Sequence, residues 1–213
     1  MKKQLFLLIF IVLIGSHLSA QDKSEKLPVY ANFSIGYGNT FFSGRLSDKE
    51  TINDDRGFGR NDGFTLATFF YYAPAQWKGF GLGAGVKGFF ASPNVGGPND
   101  SEEYFFNYYH VGLSGKYHFS KEFNKGLFVK TNIGFGQMTE KTRFLNENRF
   151  EHQFAVGTSI LGGIGYSFPI NTKISFNVDL DYEISNRRGD VTGEGQDINF
   201  RNSQVSINFG VGF

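Results

Sequence analysis

Eight stretches of the chain alternate large apolar residues with small or polar ones at a period of two, as a strand does when it shows one face to each side. The seventh is the clearest: Ile174, Phe176, Val178, Leu180, Tyr182 and Ile184 interleave with Ser175, Asn177, Asp179, Asp181, Glu183 and Ser185. The first, Val29 to Phe41, sets Val29, Ala31, Phe33, Ile35 and Tyr37 against Asn32, Ser34, Gly36, Gly38 and Thr40. The second, Phe64 to Tyr72, is apolar on both faces, and Phe64, Leu66, Phe70 and Tyr72 are assigned to its outer side. In the third, Phe80, Leu82, Ala84, Val86 and Phe90 oppose Gly81, Gly83, Gly85 and Lys87.

The fourth run, Tyr104 to Phe119, carries Phe105, Tyr109, Val111, Leu113, Tyr117 and Phe119 opposite His110, Gly112, Ser114, Lys116 and His118. The fifth sets Leu127, Val129, Ile133 and Phe135 against Lys130, Asn132, Gly134 and Gly136. The sixth sets Phe154, Val156, Ile160, Ile164, Tyr166 and Phe168 against Gln153, Gly157, Ser159, Gly163, Gly165 and Ser167, with Leu161 interrupting the polar face. The eighth alternates Val205, Ile207, Phe209, Val211 and Phe213 with Ser206, Asn208, Gly210 and Gly212.

A soluble sheet with one buried face alternates too, so the period alone does not choose a solvent. The small face does: glycine has no side chain with which to coat a water-facing surface. The pattern is better satisfied when small and polar residues fill a narrow lumen and Phe, Leu, Val and Ile meet acyl chains. The connectors alternate in length as well. Ala73 to Gly79, Ser120 to Gly126 and Pro169 to Lys173 read as tight turns, while Gly44 to Gly63, Ser92 to Glu103, Glu140 to Glu151 and Asn186 to Asn202 read as longer polar loops. In outer-membrane barrels the short side faces the periplasm. Tyr72, Trp77, Phe80, Tyr117, Phe119, Tyr166, Phe168 and Phe213 then fall at that rim, and Phe41, Phe90, Phe105, Tyr109 and Phe154 toward the other, as two aromatic girdles.

Composition sharpens this picture: 28 Gly, 26 Phe and 10 Tyr coexist with a mean hydropathy of -0.27. There is no cysteine, which excludes a disulfide framework, a thiol nucleophile and a Cys-based metal site. Lys2 and Lys3, the apolar stretch Leu5 to Ile14, and the small-residue end Ser16 to Ala20 have the form of a cleavable signal peptide, too short to cross a bilayer as a helix. The expected division is a signal peptide over residues 1–20 and one barrel domain over residues 21–213. Removing Lys2 and Lys3 leaves 19 basic residues against 20 acidic, so no basic field invites nucleic acid.

The run pattern, the alternation of connectors and the terminal strand together resemble the small eight-stranded outer-membrane barrels exemplified by OmpX and the OmpA transmembrane domain. The resemblance spans about Val29 to Phe213. It implies an all-β, eight-stranded antiparallel up-and-down transmembrane barrel in the outer membrane of a Gram-negative bacterium, with lipopolysaccharide among its lipid neighbours. It also implies that Val205, Ile207, Phe209, Val211 and Phe213 form the carboxy-terminal signal read by the barrel-assembly machinery. An alternating strand with an unpaired edge suits capture by strand addition.

The candidate chemistry lies on the inner face. Lys87, His110, Lys116, His118 and Lys130 come from the third to fifth strands, and Asp179, Asp181 and Glu183 from the seventh. Buried charges need partners, so two layers are expected: Lys87 with Asp181 or Glu183, and Lys116 or Lys130 with Asp179. His118-Phe119-Ser120 resembles the His-x-Ser motif of lipid A deacylase barrels, in which serine is the nucleophile and histidine its base. Asp48, Glu50, Asp54, Asp55, Asp62, Asp100, Glu102 and Glu103 make two loops rich in oxygen ligands, but Arg45, Lys49, Arg56 and Arg60 lie among them, as on a solvated loop. The functional expectation is a non-enzymatic barrel with a side-chain-filled lumen and no cofactor, serving envelope structure or loop-mediated recognition. A lipid A modifying enzyme and a narrow channel are the alternatives.

Overall fold

The computed structural model describes residues 28–47, 50–51, 60–91, 94–95, 102–144, 149–190 and 197–213. Residues 1–20, read as a signal peptide, lie outside the described residues. Eight long strands follow one another: β1 Val29–Ser47, β2 Arg60–Tyr72, β3 Phe80–Ala91, β4 Glu102–His118, β5 Gly126–Phe144, β6 Arg149–Pro169, β7 Ser175–Asp190 and β8 Asp197–Gly212. Each pairs antiparallel with its sequence neighbours. The two-residue strands Glu50–Thr51 and Asn94–Val95 add short arms to β1 and β4.

The last strand pairs with the first, from Asn32 with Gly212 up to Arg45 with Asn199, and this closes the sheet into a barrel. Closure leaves none of the eight long strands with a free edge over the barrel body. At the base of the seam, Phe213 and Ala31 exchange both backbone hydrogen bonds, at 2.7 and 2.9 Å.

Local chemistry explains the tight turns. Pro74 precedes a single 3-10 turn, Ala75–Trp77, which ends on Lys78 and Gly79 with φ of 50° and 87°. The next turn carries left-handed Lys121 and Asn124 and reaches β5 through Gly126 at φ 75°. In the third, Asn171 Oδ1 accepts the amides of Lys173 and Ile174, a side-chain mimic of a backbone turn.

At the opposite end the strands run further than the apolar pattern does. β1 continues past Phe41 to Ser47, β5 and β6 pair out to Phe144 with Arg149, and β7 and β8 pair out to Asp190 with Asp197. The segments expected as loops over Glu140 to Glu151 and Asn186 to Asn202 are therefore largely hairpin arms. Backbone ladder bonds do not require an apolar face, so pairing continues where hydrophobic alternation stops.

Burial follows the period of two. Side chains of the polar face are buried, among them Asn177, Asp179, Asp181, Glu183 and Ser185 on β7, while Phe176, Leu180, Tyr182 and Ile184 are exposed. Leu113 and Phe135 are 76% and 68% exposed, and comparable apolar residues circle the whole barrel. A soluble monomer rarely shows a contiguous apolar patch above about 600 Å². An encircling apolar band is a lipid-facing surface, with its backbone polar groups satisfied inside the sheet. Tyr72 against Trp77, Trp77 against Phe80, and Tyr166 against Phe168 cluster at the short-turn rim, with ring centroids 5.4, 5.9 and 4.6 Å apart.

Candidate functional site

Among the described residues, the lumen is where ionisable groups gather away from solvent. Strand parity alone turns Lys87, His110, Lys116, His118, Lys130, Asp179, Asp181 and Glu183 inward, and every one of them is buried.

In the middle of the barrel, Lys130 Nζ stands 2.8 Å from Asp179 Oδ1 and 3.0 Å from Asp181 Oδ1. Lys87 Nζ lies 3.4 Å from Asp181 and 3.6 Å from Glu183, and donates to Ser206 at 3.2 Å. Asn208 Nδ2 donates to both Asp179 and Asp181, at 2.8 and 3.0 Å. Asp181 therefore joins what the sequence led us to expect as separate layers. Three carboxylates on β7 and two lysines form one continuous network.

Above it, Glu183 Oε1 lies 3.0 Å from His110 Nδ1 and 3.8 Å from an Arg187 guanidinium nitrogen. Arg187 also donates to Asn202 at 2.7 Å and lies 4.7 Å from the centroid of the Tyr108 ring. Tyr108 stacks on Phe89 and donates to Gln204. Arg187 was missed from sequence because Asn186 to Asn202 reads as a loop. The signal that finds it is continuation of the β7 parity through Ser185 to position 187.

Of the two lysines expected as alternatives for Asp179, Lys130 takes the carboxylate and Lys116 does not. The Lys116 ammonium reaches Asn32 Oδ1 at 3.2 Å and sits 3.9 Å from the centroid of Phe128, with Phe123 and Tyr71 next, and among the described residues it has no carboxylate within ion-pair distance. Its nearest partners are therefore an amide oxygen and aromatic faces, which attract a cation. Phe123 belongs to the β4–β5 turn, folded into the short-turn mouth of the barrel. Its ring lies 4.8 Å from Tyr30 and 4.8 Å from His118. A Cβ at Gly81 would come within 2.5 Å of it, so the turn enters only because that strand position has no side chain.

The His-x-Ser pair is not brought together as a nucleophile and base. His118 is packed between Phe123 and Phe128, and neither of its ring nitrogens has a hydrogen-bond partner among the described residues. Ser120 is spent on the turn, donating toward Lys125 O at 2.6 Å and Glu122 O at 3.1 Å. No cluster of three or more metal-ligating side chains occurs among the described residues. Of the acidic loop residues, Asp48, Asp54, Asp55 and Asp100 lie outside them.

Comparison with solved structures bears on the fold. Ail, the attachment invasion locus protein of Yersinia pestis, solved in complex with the heparin analogue sucrose octasulfate, aligns over 87% of this chain and 99% of its own, with a TM-score of 0.51 and 15% identity. The chain has the fold of the small eight-stranded outer-membrane β-barrels. Neisserial surface protein A aligns over 86% of this chain and 96% of its own at TM-score 0.46 and 14% identity, and OprG from Pseudomonas aeruginosa over 90% and 99% at TM-score 0.45 and 14% identity. No protein-family model and no curated protein matches the sequence. At this identity the likeness is one of architecture, and the role of this barrel has to be argued from its own lumen and surface.

Proposed function

We propose that this chain is a non-enzymatic outer-membrane barrel that serves the envelope as a structural element and presents its long-loop end for recognition at the cell surface. The observation that carries this reading is the filled lumen. From Arg187 and Tyr108 at one end, through Lys87, Glu183, Asp181, Lys130 and Asp179, to Lys116 and Phe123 at the other, side chains occupy the axis and leave a cavity of about 20 Å³ beside Asp179 and Lys116 among the described residues. Eight strands leave an interior just wide enough for that filling, which argues against a general pore. Among the described residues His118 has no hydrogen-bond partner, and Ser120 is engaged in the turn, which speaks against the deacylase alternative. Biogenesis would pass through the barrel-assembly machinery, with β8 presenting Val205, Ile207, Phe209, Val211 and Phe213 on its outer face, and the mature barrel would sit among outer-membrane lipids including lipopolysaccharide.

Two measurements test it. Lipid A mass spectra of cells with and without the protein should be superimposable, and the purified barrel in planar bilayers should show no steady conductance. A protein-dependent loss of acyl groups would replace this reading with the enzymatic one. Discrete single-channel openings would replace it with the channel.

A further inference from the structure

On the outer face, between two groups of large aromatic residues, runs an apolar groove of about 710 Å³. Its course is set by strand register. One row of directly paired residues crosses five strands as Phe209, Ile35, Leu66, Gly88 and Tyr109, and the row beside it as Val211, Phe33, Thr68, Val86 and Val111. Thr68 and Gly88 are the small members, and they form the floor. On one side stands the stacked pair Phe64 and Phe90, with centroids 4.9 Å apart. On the other, Phe33 stacks on Phe213 at 5.6 Å and meets Phe70 edge-on at 6.3 Å.

The groove is oblique to the bilayer. Ladder rows of a barrel run perpendicular to strands that themselves tilt by about 35–45° from the axis. Its end at Phe209 and Phe33 lies toward the short-turn rim, and its end at Tyr109 toward the long-loop rim. The upper end carries a polar pair, Tyr109 donating to Gln137 Oε1 at 2.9 Å on the outer surface, and Thr68 is the polar residue of the floor.

We propose that this groove holds one acyl chain of a lipid from the leaflet at the long-loop end, its polar linkage beside Tyr109 and Gln137 and its tail running down to the β1–β8 seam. Three features select this occupant. The groove is continuous with the lipid-facing band, so its surroundings are already acyl chains. It crosses five strands between two aromatic walls and is apolar along its course except at Thr68, a surface that suits an extended acyl chain. Apart from Thr68 on the floor, its polar pair, Tyr109 with Gln137, stands where a lipid's linkage region would meet it. The inference rests on the membrane reading of the barrel.

The test uses the full barrel reconstituted in vesicles of dipalmitoyl phosphatidylethanolamine and phosphatidylglycerol, released in mild detergent and weighed by native mass spectrometry. The parent protein should carry one lipid. Thr68→Phe puts a ring on the groove floor and should lower the lipid-bound fraction by roughly tenfold, the equivalent of losing contact with about two methylene groups. Thr68→Val keeps the volume and should retain the lipid. Gly162→Phe, on the opposite wall where a Cβ would meet nothing within 4 Å, should retain it too. Heat-modifiable mobility checks that each variant has inserted. Equal lipid retention in Thr68→Phe and the parent overturns the proposal. So does a two-chain mass that Thr68→Phe abolishes, which would make the occupant a second copy. If the parent does not insert into vesicles, the membrane reading itself falls, an outcome distinct from insertion without a bound lipid.

Discussion

Lys130 on β5 and Asp181 on β7 meet at 3.0 Å across Gly163 of the intervening strand, to which both are register partners. Residues two strands apart in a sheet do not ordinarily touch. Here they do because the position between them has no side chain: a Cβ at Gly163 would lie 2.3 Å from Asp181 Oδ1 and 2.8 Å from Lys130 Cε. The inner-face glycines of this barrel thus make the room in which its charges pair.

Gly163→Ala should therefore destabilise the barrel by about 1–3 kcal/mol, the usual range for overpacking a filled interior. Gly162→Ala, one residue away but facing outward into open space, should change stability far less. Urea titrations followed by heat-modifiable mobility would compare the two. Equal effects would mean that backbone flexibility rather than lumen space governs these positions.

Lys130→Met leaves Asp179 and Asp181 without their nearest cation and should cost about 3–5 kcal/mol. Adding Asp179→Asn and Asp181→Asn to that variant should recover much of the loss, because no unpaired carboxylate then remains in the lumen. A double-mutant cycle in urea measures the coupling, and strictly additive costs would show that the groups do not act as a network.

The alternation of Ile174 to Ser185 was enough to place the β7 carboxylates on the inner face, because a period of two leaves only one choice of side once the apolar set is fixed. The partners of Lys87 were legible in the same way, but which of Lys116 and Lys130 meets Asp179 was not. Lys116 and Lys130 are register partners on adjacent strands, and the choice between them depends on Gly163 opening a path for one and on Phe123 entering the mouth beside the other. The entry of a turn residue into the lumen leaves no periodic trace. Nor was Arg187 legible, since the outward partners that reveal β7 as a strand become polar beyond Ile184 while pairing continues.

Lys116→Met should behave oppositely to Lys130→Met. The ammonium of Lys116 has Asn32 and three aromatic rings for company and no carboxylate within ion-pair distance among the described residues, so its removal strands no opposite charge. Methionine is of similar length and packs well against rings. Stability in urea should be unchanged or rise, and a loss approaching that of Lys130→Met would show that the cation–π contacts hold the lower lumen together.

The seam supplies the last prediction. Phe213 makes two backbone hydrogen bonds with Ala31, and its ring stacks on Phe33, so the final residue ties the end of β8 to β1 at the base of the barrel. Deleting Phe213 removes both bonds and the aromatic contact. Leaving the ring out but the backbone in, as Phe213→Ala, removes only the contact, worth about 0.5–1.5 kcal/mol beyond its buried area. If the ring also serves as the outward end of an assembly signal, the two variants should be similarly slow to reach the heat-modifiable state in cells, yet differ in urea stability once purified and refolded. Assembly in cells that follows stability alone, with Phe213→Ala inserting at the parental rate, would assign Phe213 to closing the seam and not to recognition during assembly.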